Sequence, residues 1–147
     1  MKTAVYDFIS LRQPELYVRT TREIADYVGK TLRYYGSDAK AAIENLELPV
    51  IPKPGPKPML GVNAEELELK IWDKEVDEYM AQRKWLKQNM KATYIIIWGE
   101  CSDAMRARAE ATTDFKATSK NQDTIALLKV IKQVMFCCDT VKFHRMH

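Results

Sequence analysis

The chain has 147 residues, a mass of 17.0 kDa and 46% hydrophobic residues, with a formal net charge of +3. This length suits one hydrophobic core or two small helical lobes, and the apolar content excludes an intrinsically disordered chain. The charge is spread along the sequence, which excludes a strongly basic nucleic-acid-binding arm and leaves only weak, salt-sensitive contact with RNA open.

Residues that interrupt helices are scarce and concentrated. Five of the six prolines lie between Pro49 and Pro58, and only five glycines occur in the whole chain. We therefore predict an all-α protein made of an N-terminal helical segment (residues 1–48), a proline-rich linker (49–62) and a C-terminal helical domain (63–147). The linker is expected to run extended as a semi-rigid spacer, although such segments also dock into aromatic grooves of partner proteins.

The cysteines and the apolar runs indicate the cellular compartment of the protein. Cys101, Cys137 and Cys138 are odd in number and two are adjacent, which is a poor framework for disulfides and favours a reducing compartment. The most apolar run, residues 94–98, is far shorter than the roughly 20 residues that span a bilayer, and the N-terminus lacks a signal-peptide pattern. We expect a cytoplasmic protein with no membrane partner.

Two helices are predicted in the N-terminal segment. Residues 1–12 are expected to form a short extended or turn segment that covers the core. Pro14, a favoured first-turn residue, begins an apolar pattern of helical spacing that ends at Gly29 or continues for six more residues. A second helix follows, with Ser37 or Asp38 as its N-cap.

A long helix dominates the C-terminal domain. Asn63 and Glu66 form a capping-box pattern, and no stop signal precedes Asn89. The pattern predicts either one long helix or two collinear helices with a bend near Asn89. An apolar stripe runs along it at steps of three, four or seven residues, with Arg83 as its one charged member: Trp72, Val76, Tyr79, Leu86, Met90, Tyr94, Ile97 and Cys101.

Shorter segments complete the predicted helical bundle. Gly99 ends the long helix and Ser102 caps a basic helix, with Asp103 favourably placed at the positive N-terminus. Residues 112–122 are expected to form a polar loop. A last helix runs from about residue 123 to 136, with an apolar face wide enough to be buried on two sides.

Catalytic and metal-binding patterns are missing from the sequence. It has no Gly-rich phosphate loop, no nucleophile elbow and no HExxH, and both histidines lie in the last four residues. Cys137, Cys138, His144 and His147 lie close together, but adjacent cysteines on a helix point about 100° apart and seldom share an ion. We therefore predict no enzyme activity, cofactor, metal or small-molecule substrate.

Aromatic and basic residues are the candidate contact sites. Tryptophan and tyrosine are enriched in interfaces, and the candidates are Trp72, Tyr79 and Trp85. For Trp72 and Trp85, the sequence is equally compatible with a place in the core. Four basic residues are predicted to face neighbouring subunits or RNA: Arg106, Arg108, Lys116 and Lys120.

Three stretches between residues 17 and 143 carry a resemblance to a known family. YVRTTREIADYVGKTLRYYGSDAKAAIENL has a helix ending in YVG before a glycine turn and an Ile-Glu helix, and the prolines follow it. YIIIWGECSDAMRARAEA then precedes DTIALLKVIKQVMF. In this order the stretches resemble the Gag, or capsid-like, polyprotein region of copia-type and related retrotransposons, in the form found in algal and stramenopile genomes.

The resemblance implies non-enzymatic, helical capsid subunits that associate with copies of themselves into a particle and package RNA. Two other functions fit the residues. One is a cellular helical adaptor that binds a protein partner through the proline segment or the acidic helix face. The other is a weak RNA-binding module.

Overall fold

The structure is a computed structural model that describes residues 5–7, 13–59, 61 and 65–145, with side chains described as far as Phe136. Within these residues the chain forms helices, and the isolated bridge between Tyr6 and Cys101 is the one β-type pairing. The predicted all-α class is confirmed. Six helices are described: α1 (Gln13–Thr31), α2 (Gly36–Asn45), α3 (Glu66–Gly99), α4 (Asp103–Glu110), α5 (Phe115–Asn121) and α6 (Thr124–Arg145).

The turn between α1 and α2 brings these two helices into close contact. A side chain at Gly36 would place its Cβ 3.1 Å from the carbonyl oxygen of Val28, so the absence of a side chain allows the start of α2 to approach α1. The predicted N-cap at Ser37 or Asp38 is wrong, since α2 already begins at Gly36. Tyr35 occupies the cap position in the left-handed region, at φ 58°, without a side-chain cap hydrogen bond.

The long helix α3 is a single unbroken helix of 34 residues. Of the two predicted arrangements, the single long helix is the one that forms. Asn63 lies outside the described residues, and Glu65 occupies the cap position of α3 without a side-chain cap hydrogen bond. Gly99 is the last residue of the helix, as predicted.

Ser102 begins α4 as predicted. Its Oγ accepts a hydrogen bond from the backbone N–H of Met105 at 3.1 Å. The N-terminal segment covers this point, because Tyr6 is fully buried and pairs with both sides of Cys101. The backbone N–H of Tyr6 donates to the carbonyl of Glu100 at 2.8 Å, and the N–H of Ser102 donates to the carbonyl of Tyr6 at 2.9 Å. The predicted extended segment over the core is therefore confirmed for residues 5–7.

The predicted polar loop at residues 112–122 is wrong, because it contains the short helix α5. Phe115 packs on Trp98 with ring centroids 5.3 Å apart, and Thr118 is buried. These tertiary contacts order a stretch whose composition is that of a loop. The last helix, α6, begins within one residue of the predicted position and continues to Arg145, beyond the predicted end.

One hydrophobic core contains residues from both sides of the proline segment. Residues 48–59 form no helix or strand, and Ile51 packs against the core. Helices α1 and α2 both contact α3 and α6. The division at residues 48 and 62 stays a prediction. Among the described residues, fully buried side chains come from five helices and include Ile24, Val28, Ile43, Ile97, Met105, Leu127, Leu128, Ile131 and Met135.

Candidate functional site

The first half of α3 projects beyond the core. No residue of this helix before Leu86 is buried, although the helix begins at Glu66. Three large apolar side chains in this half are exposed: Leu67 (65%), Ile71 (50%) and Met80 (57%). The apolar stripe is thus a core face only from Leu86 onward. Its earlier members Trp72, Val76 and Tyr79 are half-buried.

The three predicted interface aromatics are placed by contacts within the chain. Trp72 Nε1 donates to the carbonyl oxygen of Gly55 at 2.7 Å, which holds the proline segment against α3. Trp85 packs on Tyr34, with ring centroids 4.6 Å apart, and joins α3 to the turn before α2. Tyr79 lies beneath the guanidinium of Arg83, whose Cζ is 5.4 Å from the ring centroid. Their role in contacts with other molecules stays a prediction.

A groove of about 550 Å³ lies beside Tyr79, between the proline segment, α3 and the start of α6. We call it the basic groove, because Arg83, Lys87 and Lys91 line it at steps of four residues. Asp123 also lines the groove, and its Oδ1 accepts from the backbone N–H of Ala126 at 3.1 Å. The apolar part of the lining comes mainly from Leu48, Ile51, Leu86, Met90 and Ile125.

A second surface lies nearer the N-terminus of α3, on its projecting half. Leu67, Ile71, Glu75 and Glu78 recur at steps of three or four residues, so they share one side of the helix, and all four are exposed. We call this surface the acidic edge. The sequence indicated an acidic helix face but not its apolar members, because Leu67 and Ile71 lie off the apolar stripe. The sequence feature that could have revealed this surface is the spacing of Leu67 and Ile71, four residues apart in an otherwise charged segment.

The predicted RNA-contacting residues are only partly brought together. Arg106 is half-buried, and its guanidinium donates to the carbonyl oxygens of Trp98 and Gly99 at 3.2 and 3.5 Å. Arg108 is exposed and lies about 200° around α4 from Arg106, so the two point in different directions. Lys116 and Lys120 are exposed and share one side of α5. RNA contact by these four residues stays a prediction.

The junction between α3 and α4 contains the most strongly perturbed titratable groups. Burial raises the pKa of the Cys101 thiol to about 12, and its Sγ lies 3.4 Å from the carbonyl oxygen of Ile97. Burial also raises the pKa of Tyr6, while the hydrogen bond of 2.7 Å between its hydroxyl and that of Thr21 lowers this pKa in part. These neutral, buried groups fit a structural junction.

Within the described residues, no cluster of three histidine, cysteine or acidic side chains has the geometry to hold a metal ion. The side chains of Cys137, Cys138, His144 and His147 lie outside the described ones, and the absence of a metal there stays a prediction. None of the described helices has the length and apolarity needed to cross a membrane.

The chain matches no known family model, no curated protein sequence and no solved structure.

Proposed function

We propose that this protein is a cytoplasmic, non-enzymatic assembly subunit of the Gag or capsid-like type, which associates with copies of itself. The observation that carries the proposal is the first half of α3, which extends from the core and leaves Leu67, Ile71 and Met80 exposed. Leu67 and Ile71 lie one helical turn apart on the same side, and contiguous exposed apolar surface is typical of a protein–protein contact site.

The energetics of a projecting helix support association. In proteins most of the stability of a helix comes from the packing of its apolar face against other elements, and less from intrinsic helix propensity. Residues 66–85 are held mainly by the proline segment and by contacts at Gln82 and Trp85 near their end. Packing against another molecule would bury the apolar side chains and stabilise this half of the helix.

Imaging of the purified protein by negative-stain electron microscopy, at several protein concentrations, tests the proposal. An assembly subunit forms particles or regular oligomers that become more numerous as concentration rises. A field of single 17.0 kDa molecules at every concentration, in both low and high salt, would contradict it.

The adaptor function predicts a different result. An adaptor forms discrete complexes of fixed stoichiometry with one partner in a pull-down, and it forms no particles. RNA packaging is a separate part of the proposal. It predicts RNA binding that strengthens at low salt and weakens when Lys116 and Lys120 are both changed to Ala.

A further inference from the structure

We propose that the acidic edge of one molecule docks in the basic groove of a second copy of this chain. The inference rests on the proposed self-association and names the two surfaces that carry it. Leu67 and Ile71 would enter the apolar part of the groove, and Glu75 and Glu78 would lie beside the row of basic residues.

The basic groove has the chemistry to receive an acidic amphipathic helix. Apolar side chains line it, and Arg83, Lys87 and Lys91 follow one another along α3 at its side. Lys87 and Lys91 are exposed, and in the described part of the chain neither makes an ion pair. An apolar helix face that enters a hydrophobic groove is a recurring mode of recognition, and the charged rim fixes its direction.

The charge distribution along α3 indicates that a second copy of this chain can occupy the basic groove. Residues 66–78 contain six acidic and two basic side chains, whereas residues 79–91 contain four basic and no acidic side chains. These two successive segments of the helix therefore carry net charges of −4 and +4. A second copy of the chain supplies the acidic, apolar segment that the basic groove fits.

The two surfaces cannot meet within one molecule, because both belong to the same unbroken helix. Ile71 and Lys87 are sixteen residues apart, which is about 24 Å along the helix axis. Contact between them therefore requires a second molecule.

The directions of the surfaces favour a head-to-tail contact. At 100° per residue, Arg83 and Lys87 lie about 120° and 160° around the axis from Ile71. In a two-fold contact between antiparallel α3 helices, both molecules use the same side of the helix. The acidic edge and the basic residues lie on different sides, so such a pair cannot bury both surfaces. Each molecule therefore offers its acidic edge to one neighbour and its basic groove to another. This contact generates rings or open chains.

Charge reversal with mixing tests the inference by sedimentation velocity. The edge variant carries Glu75→Lys and Glu78→Lys, and the groove variant carries Lys87→Glu and Lys91→Glu; all four side chains are exposed, so the fold is retained. Each variant alone is expected to associate about tenfold or more weakly than the wild type, because like charges then face each other. An equimolar mixture of the two is expected to associate again, since each edge then meets a groove of opposite charge.

The matched control carries Asp73→Lys and Asp77→Lys, which makes the same charge change on another side of the same helix half. It is expected to associate as the wild type does. A wild type that associates while both reversed variants associate equally well overturns the docking mode and leaves the proposed function standing. A wild type that remains monomeric at all concentrations overturns the proposed function and this inference together.

Discussion

Ser102 connects three parts of the chain at the junction between α3 and α4. Its Oγ caps α4 at the backbone N–H of Met105, its hydroxyl donates to Asp7 Oδ1 at 3.1 Å, and its backbone N–H donates to Tyr6. Ser37, by contrast, is exposed and does not occupy the cap position of α2. Ser102 therefore forms the N-cap that the sequence predicts, whereas Ser37 does not.

Ser102→Ala is expected to lower the free energy of unfolding by about 1 kcal/mol, because an orphan N–H of α4 loses its acceptor. Ser37→Ala is expected to change it by less than about 0.5 kcal/mol, since that side chain is exposed. Urea denaturation followed by circular dichroism measures both. Equal losses for the two variants would show that Ser102 does not act as a cap.

The buried thiol of Cys101 makes the free energy of unfolding depend on pH in the alkaline range. Burial raises the pKa of its thiol from 9.0 to about 12, so above pH 9 the unfolded chain releases a proton that the folded chain retains. The stability that the neutral thiol contributes is fully present below pH 9 and is lost as pH rises toward 12. The raised pKa values of Tyr6, Tyr17 and Tyr94 act in the same direction above pH 10.

The free energy of unfolding of the wild type is therefore expected to fall more steeply with pH than that of Cys101→Ala. The difference in slope approaches about 1.4 kcal/mol per pH unit between pH 9.5 and 11, which corresponds to one proton. Urea titrations at several pH values measure the slopes. Parallel curves for the two proteins would contradict the account, whatever the absolute stability of the variant.

At the scale of elements, α3 is one helix with two environments. Ile71 is 50% exposed in its first half, whereas Ile97 is fully buried in its second half. The two residues are chemically identical, so a comparison between them isolates the effect of packing.

Ile97→Ala is expected to lower the free energy of unfolding by about 2–5 kcal/mol, because it removes buried methyl groups and leaves a cavity. Ile71→Ala is expected to change it by less than about 0.5 kcal/mol in dilute, monomeric protein. Chemical denaturation at low protein concentration provides the measurement. A large loss at Ile71 would mean that the first half of α3 is packed within the molecule.

Local signals in the sequence predicted the elements that depend on local interactions. Gly99 and Ser102 mark the end of α3 and the start of α4, because the glycine and the cap act within one turn of helix. The N-cap of α2 was missed by two or three residues, since close contact of Gly36 with α1 places the start of this helix. Helix α5 was missed because the packing of Phe115 on Trp98 orders it.

The candidate surfaces were less predictable than the helices. The sequence identified Tyr79 and Trp85 as aromatic residues suited to contacts, but not that Trp85 packs on Tyr34. The basic groove depends on where the proline segment returns to α3, and Leu48 and Ile51 are far from Lys91 in sequence. Such long-range placement leaves no periodic pattern in the chain.

At the scale of the whole molecule, a common core and a projecting half-helix give different parts of the chain different roles. The core joins α1 and α2 to α3 and α6 across the proline segment. The projecting half adds exposed apolar surface that the core does not use. We therefore propose that this half-helix makes the protein associate with copies of itself.

Multi-angle light scattering across a concentration series, in low and high salt, tests that claim most directly. We expect a mass near 17.0 kDa at low concentration that rises with concentration, with a smaller rise in high salt because the charged rim is screened. Leu67→Glu with Ile71→Glu is expected to suppress the rise while the circular dichroism spectrum stays unchanged. A constant mass of 17.0 kDa for the wild type at every concentration and both salt conditions would contradict the claim.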